Sequence, residues 1–174
     1  MTSEPIESQV GKLLRERRLK LVLAESCTGG LAASMMTDIP GSSDYYIGGV
    51  GAYAYEAKRY VLGVDRTSLE KYGAVSREVA IEMAVGVRKA FSGPEVPIGN
   101  LIGVSITGIA GPGGGMPNKP VGLVWIGISA PDGEWAWSYI WDGDRKQNKG
   151  KSARQALLLL KYYLLNRLPV ESKQ

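Results

Sequence analysis

The fold is decided by residues 21–30, LVLAESCTGG, in which a short apolar run leads directly into a glycine-rich turn. Consecutive apolar residues bounded by turn residues are typical of a strand that is buried on both faces. The next residues, 31–36 (LAASMM), predict a helix. The sequence therefore places Ser26 on a turn between a strand and a helix.

Strands and helices continue to alternate along the rest of the chain. Four more strands are predicted at residues 45–53, 101–107, 121–129 and 135–141, and the longest helices at residues 76–91 and 146–167. Residues 131–133, Pro-Asp-Gly, predict a hairpin turn between the last two strands. This pattern indicates an α/β fold with a mixed sheet of about five strands, covered on both faces by helices. The length favours a single domain over residues 1–174.

The composition excludes several classes of site. The chain has no histidine, which rules out Ser-His-Asp and Cys-His catalysis, and Cys27 is its only cysteine. An intramolecular disulfide is therefore impossible, and a zinc site of the usual Cys/His kind is not expected. Any nucleophile in this chain must use a base other than histidine.

The positive charge of the chain would suit nucleic acid and a small anionic molecule equally. The formal net charge is +4, with basic residues clustered at 12–20 and 145–154. No aromatic residues interleave with these clusters and no nucleic-acid motif is present, so we interpret them as solvated helix faces and expect no nucleic-acid partner. The sequence also lacks a long apolar run and a signal peptide, which predicts a cytoplasmic protein with no membrane partner.

Ser26 is the leading candidate for a nucleophile, because N–H groups at the start of the next helix could hold an oxyanion. The alternatives are that Ser26 or Thr28 only caps that helix, or that Cys27 is the nucleophile. Lys58 is the favoured base, since it follows a glycine-rich strand among aromatic and apolar residues, where burial would favour its neutral amine. Most lysines on short helices are solvent-exposed, which is the competing interpretation. Glu25 either orients Lys58 or is an ordinary carboxylate at a strand end.

Residues 111–115, Gly-Pro-Gly-Gly-Gly, predict a loop whose amides, together with Lys119, could hold a phosphate. The loop is not a Walker sequence, so ATP chemistry is not indicated, and a mobile surface loop is the alternative. Arg145 follows Asp142-Gly143-Asp144 and either binds a phosphate or carboxylate or belongs to a turn and helix cap.

Six separated motifs together resemble the CinA C-terminal domain family, in order and spacing, from about residue 8 to residue 167. They are Ala24-Glu25-Ser26-Cys27-Thr28-Gly29-Gly30, Gly41-Ser42-Ser43, Glu56-Ala57-Lys58, Gly73-Ala74-Val75-Ser76, residues 107–114 with 119–122, and Gly143-Asp144-Arg145. The resemblance implies a three-layer α/β/α sandwich with a mostly parallel sheet, no metal, no cofactor, and a homodimer or higher homo-oligomer.

The family's characterised activity is deamidation of nicotinamide mononucleotide, so the resemblance implies a small phosphorylated pyridine nucleotide as substrate. It also implies Ser26 as nucleophile, Lys58 as general base and Tyr53 as a further catalytic residue. The substrate-binding set that we predict is Glu25, Thr28, Gly29, Gly30, Ser42, Ser43, Thr107, Gly108, Gly111, Gly113, Lys119 and Arg145.

The chain departs from the family pattern at two points. Many active members read Tyr-Ser-Asn-Glu-Ala-Lys where this chain has Tyr53-Ala54-Tyr55-Glu56-Ala57-Lys58. The N-terminal nucleotide-pyrophosphatase-like domain of longer CinA proteins has no counterpart in this sequence, so no pyrophosphatase activity is expected. The first departure keeps open an alternative function, a nucleotide-binding or regulatory module without turnover. A DNA-associated role, which predicts salt-sensitive duplex binding, is the third hypothesis.

Overall fold

A computed structural model describes residues 4–172 of the chain. Its helices and strands follow one another in the order α1 (Ile6–Arg17), β1 (Lys20–Glu25), α2 (Leu31–Thr37), β2 (Tyr46–Gly51), α3 (Tyr55–Tyr60), α4 (Arg66–Tyr72), α5 (Arg77–Ala90), β3 (Leu101–Gly108), β4 (Leu123–Ala130), β5 (Gly133–Ile140) and α6 (Arg145–Leu164).

The five strands form one mixed sheet in the order β2-β1-β3-β4-β5. Strand β1 pairs in parallel with β2 and β3, while β4 pairs antiparallel with both β3 and β5. Only β4 therefore runs against the others. The predicted α/β fold with a mixed, mostly parallel sheet of five strands is confirmed, as is the hairpin between β4 and β5.

Strand β1 is buried on both faces, and its side chains alternate between two cores. Leu21 and Leu23 belong to the core beneath α1, α2 and α6, whereas Val22 and Ala24 belong to the core beneath α5 and the α3–α4 segment. This alternation is the period of two that every strand imposes on its side chains. It has a direct consequence at the end of β1, where consecutive side chains must point to opposite faces.

Helix α5 lies unusually close to the sheet because small residues face it. A Cβ atom added at Gly103 would lie 2.2 Å from the Ala84 carbonyl oxygen, and one added at Gly127 would lie 2.5 Å from that of Ala80. The Ser105 hydroxyl also donates to the Ala80 carbonyl, at 2.5 Å. Within residues 4–172, no helix combines the length and apolar character needed to cross a membrane.

The three neighbouring parallel strands deliver the site residues to one edge of the sheet. Strand β1 ends immediately before Ser26, β2 ends two residues before Tyr53, and Thr107 lies near the end of β3. Because neighbouring parallel strands have their carboxyl ends at the same edge of the sheet, the fold itself brings these residues together.

The close packing of α5 predicts opposite effects for the same substitution at two helical glycines. A Cβ at Gly86 would lie 1.9 Å from the Leu62 carbonyl oxygen, whereas nothing lies within 4 Å of a Cβ at Gly150. Gly86→Ala is therefore expected to lower the free energy of unfolding by about 1–3 kcal/mol through overpacking. Gly150→Ala is expected to raise it by about 0.5–1 kcal/mol, since alanine is the better helix former.

Urea denaturation of both variants measures this difference. Equal effects of the two substitutions would contradict the close contact between α5 and the Leu62 backbone.

Candidate active site

Ser26 is fixed by a tight turn at the carboxyl end of β1. Its backbone N–H donates to the Ile106 carbonyl of β3 at 2.9 Å, and its carbonyl accepts the N–H of Gly29 at 3.1 Å. Gly29 and Gly30 have φ values of 62° and 94°, in the left-handed region that favours glycine. The two glycines let the chain reverse from β1 into α2 while the serine stays anchored to the sheet.

Lys58 is the amine that the structure brings to this serine. Its side chain is only 1% exposed, and its Nζ lies 2.9 Å from the Ser26 Oγ. The same Nζ contacts the carbonyl oxygens of Ala52 at 2.7 Å and Tyr53 at 3.1 Å. Burial lowers the pKa of Lys58 to about 8, an effect that the neighbouring Cys27 offsets in part. A substantial fraction of this lysine is therefore neutral at mildly alkaline pH.

The three oxygens around Nζ suit both protonation states of Lys58. An ammonium group has three N–H donors, one for each oxygen, whereas a neutral amine has two donors and one lone pair. Carbonyl oxygens can only accept, so Ala52 and Tyr53 engage the two remaining N–H groups when the amine is neutral. The lone pair is then directed at the Ser26 hydroxyl, which is the one neighbour that has a proton to give.

Cys27 is poorly suited to compete as the nucleophile. The residue is buried, and this burial raises the pKa of its thiol to about 11. The reactive thiolate is consequently scarce near neutral pH. The chemistry of this turn therefore favours the serine over the cysteine.

Glu25 does not contact Lys58, and its carboxylate caps helix α2 instead. The carboxylate accepts the N–H groups of Gly30 at 3.1 Å, Ala32 at 3.1 Å and Ala33 at 2.8 Å. The alternation along β1 explains this, because Glu25 points to the α2 face and Ser26 to the α3 face. The structure thus places Glu25 behind the serine turn, where it neither orients Lys58 nor lines the pocket in front of Ser26.

The amides expected to hold an oxyanion are partly occupied. The Gly29 N–H donates to Ser26 and the Gly30 N–H to Glu25. Within residues 4–172, the N–H groups of Cys27 and Thr28 donate to no carbonyl or carboxylate oxygen. These two amides are the remaining candidate donors of the turn, while Thr28 itself is fully buried.

A pocket of about 250 Å³ opens in front of Ser26 and Lys58. Its walls come from the ends of β1 and β3, from the start of α3 and from the glycine-rich loop. The predicted residues that line it are Ser26, Tyr53, Lys58, Thr107, Gly108, Gly111, Gly113 and Arg145. The Thr107 hydroxyl is already engaged, since it donates to the Ala74 carbonyl at 2.7 Å.

Arg145 bridges the mouth of this pocket. Its guanidinium donates to the Gly111 carbonyl at 2.7 Å and to the Tyr53 hydroxyl at 2.8 Å. Asn148, which is 1% exposed, donates to the Ala110 and Gly143 carbonyls at 3.1 and 2.9 Å. The buried amide therefore ties the glycine-rich loop to the start of α6 and fixes the position of Arg145.

Several predicted residues lie outside the pocket. Ser42 and Ser43 form a short turn before β2, at the amino-terminal edge of the sheet, so the length of a six-residue strand separates them from Ser26, roughly 15–20 Å. Lys119 donates to the Tyr72 carbonyl and does not line the pocket. Thr28, Gly29 and Gly30 shape the serine turn without lining the pocket. Of the two cations that we predict for phosphate binding, Lys119 and Arg145, only Arg145 lines the pocket.

Two polar residues of the site, Tyr55 and Asn148, are not in the predicted set. Tyr55, one of the aromatic neighbours of Lys58 and a departure from the family pattern, lines the pocket. Asn148 supports Arg145 from one turn further along α6. Asn148 stands in a run of polar residues at the start of α6, so the sequence does not single it out, and its burial depends on the position of the glycine-rich loop.

Comparison with known proteins places this chain in a family. A model of the CinA C-terminal domain matches residues 3–164. The CinA-like protein of Salinibacter ruber is 47% identical over 152 residues, which cover 87% of this chain and 35% of that protein. A CinA-like protein of Desulfotalea psychrophila is 46% identical over 156 residues, covering 90% of this chain and 36% of that protein. The chain thus spans about a third of the length of the curated relatives that it matches.

Solved structures match over nearly their whole length. A CinA superfamily protein from Klebsiella pneumoniae superposes with a TM-score of 0.85 at 30% identity, covering 92% of this chain and 96% of that one. The competence/damage inducible protein CihA of Agrobacterium tumefaciens superposes with a TM-score of 0.79 at 36% identity, covering 95% and 99%. The three-layer arrangement of helices around the sheet is therefore shared with these proteins.

The buried cap on α2 predicts that Glu25→Gln destabilises the protein. A neutral amide would replace the charged acceptor of three N–H groups and would turn its own donor toward them. We expect the free energy of unfolding to fall by about 1–3 kcal/mol, as measured by urea denaturation. Glu16→Gln on the exposed surface of α1 removes the same charge and is expected to change it by less than about 0.5 kcal/mol. A similar small change at both positions would contradict the capping role.

Proposed function

Because the chain belongs to the CinA C-terminal domain family, we propose that it hydrolyses the carboxamide of nicotinamide mononucleotide to the carboxylate and ammonia. The observation that carries the proposal is the 2.9 Å contact between the Lys58 Nζ and the Ser26 Oγ, made by a lysine that is 1% exposed. A buried amine beside a serine hydroxyl is an arrangement that activates a nucleophile without histidine.

In the proposed acylation step, neutral Lys58 takes the hydroxyl proton as the Ser26 Oγ attacks the amide carbon. The negative charge that develops on the amide oxygen is held by N–H groups of the serine turn, with Cys27 and Thr28 as candidate donors. One such donor typically contributes about 3 kcal/mol. The ammonium of Lys58 then returns its proton to the leaving nitrogen, and ammonia departs from a serine ester.

In the proposed deacylation step, Lys58 acts as a base a second time. It removes a proton from water, whose oxygen attacks the ester carbon and forms a second oxyanion. Collapse of this intermediate releases the pyridine carboxylic acid, which ionises by giving its proton to solvent, and the proton on Lys58 returns to the Ser26 oxygen. The walls at Val75 and Ile109 offer apolar contacts to the flat ring, while Arg145 at the mouth suits the anionic end of the substrate.

Ammonia release from nicotinamide mononucleotide tests the proposal. We expect the wild-type protein to produce ammonia, and Ser26→Ala and Lys58→Met to lose about 10³-fold or more in rate. Cys27→Ala is the matched control in the same turn and is expected to keep its rate within about threefold, because the cysteine thiol stays protonated.

Other outcomes assign other roles. Tight binding of the nucleotide without turnover would favour the regulatory-module hypothesis, in which Tyr55 has replaced a polar residue of the active pattern. Loss of activity in Cys27→Ala with retention in Ser26→Ala would make the cysteine the nucleophile and would overturn the proposed roles.

A further inference from the structure

The catalytic pocket is smaller than the pockets that usually enclose a ligand as large as a phosphorylated nucleoside. Its volume is about 250 Å³, whereas pockets that enclose ligands of this size usually span about 300–1,000 Å³. With the carboxamide placed at Ser26, the ring fills the interior and the ribose reaches the mouth. The phosphate must then lie outside, in a hollow that adjoins the pocket.

Among the described residues, two hollows share wall residues with the pocket. One, of about 540 Å³, shares Ala110, Gly111 and Arg145 with the pocket and continues past Arg145 to Lys146. The other, of about 360 Å³, shares only Tyr55 and continues to Arg59 and Arg66. We name them the Lys146 hollow and the Arg59 hollow.

The two hollows differ in the charge of the residues that line them. In the Arg59 hollow, the two arginines face two carboxylates, Glu56 and Glu70, and Arg66 forms an ion pair with Glu70 at 2.6 Å. The Arg59 hollow is therefore close to neutral overall and suits a phosphate dianion poorly.

The Lys146 hollow contains two cations and one carboxylate. Asp144 accepts the N–H of Gln147 at 2.8 Å in the cap of α6. Arg145 donates only to uncharged oxygens, and within residues 4–172 Lys146 forms no ion pair. The remaining walls are apolar, formed by Ala110, Pro112 and Val121. An anion placed between Arg145 and Lys146 would gain two charged donors and would displace no existing ion pair.

We propose that Lys146, together with Arg145, forms the phosphate subsite of this enzyme, and that the Lys146 hollow holds the phosphate end of the substrate. This inference rests on the proposed function for the position of the amide. It assigns a binding role to a lysine that follows the mouth arginine directly in sequence and reaches the neighbouring hollow.

Phosphate-dependent binding tests the subsite without requiring turnover. Binding of nicotinamide mononucleotide and of its unphosphorylated nucleoside is measured by calorimetry in a Ser26→Ala background. Adding Lys146→Ala is expected to weaken binding of the nucleotide by about fivefold and to leave the nucleoside within about twofold. Arg154→Ala removes the same charge from an exposed position of the same helix and is expected to change neither.

Arg59→Ala tests the competing hollow in the same way. A phosphate-specific loss in Arg59→Ala, or an equal loss for nucleotide and nucleoside in Lys146→Ala, would overturn the inference. These results are independent of catalysis. Ammonia release by the wild type with no phosphate-specific effect of Lys146→Ala would reject the subsite and keep the function. A phosphate-specific effect of Lys146→Ala with no ammonia release by the wild type would reject the function and keep the subsite.

Inorganic phosphate is the probe if neither compound binds. The inference then requires phosphate to raise the melting temperature of the full chain. It also requires Lys146→Ala, but not Arg154→Ala, to abolish that rise. Absence of either effect would overturn it.

Discussion

The site depends on the burial of one amine against one hydroxyl. A charged lysine loses its hydration when it is buried, so the protein keeps Lys58 only by surrounding Nζ with oxygens. The backbone of Ala52 links Lys58 to β1. Its carbonyl accepts from Lys58, and its N–H donates to the Glu25 carbonyl at 2.8 Å. The lysine is thereby tied to the last residue of the strand that carries the serine.

The alternation of side chains along β1 gives Glu25 and Ser26 different roles at the end of the strand. Glu25 points to the α2 face, where it satisfies three helix amides, and Ser26 points to the α3 face, where it meets Lys58. One carboxylate therefore stabilises the turn from behind while the next residue is presented to the pocket. The close packing of α5 on the small residues of β3 keeps the neighbouring strand end, with Thr107, in line with this turn.

The sequence was sufficient for the fold and for the serine–lysine pair, but not for the roles of residues held by distant contacts. Apolar runs and turn residues predict the five strands. The absence of histidine requires another base for the serine, and this favours Lys58. The sequence leaves the role of Glu25 open because both faces of β1 are apolar, which hides the direction of its last side chain. Ser42 and Ser43 were grouped with the site by motif alone, although a turn before a parallel strand lies at the far edge of the sheet. The role of Asn148 depends on the position of the glycine-rich loop, which lies about forty residues earlier in the chain.

The titration of Lys58 in the folded protein tests the central claim most directly. The side-chain Nζ or Cε resonance can be followed by NMR against pH and assigned with Lys58→Met. The account predicts a midpoint of about 8, well below the ordinary lysine value of 10.5, because burial disfavours the ammonium form. A midpoint near 10.5 would show an amine that stays protonated throughout the neutral range, and it would contradict Lys58 as the base that activates Ser26.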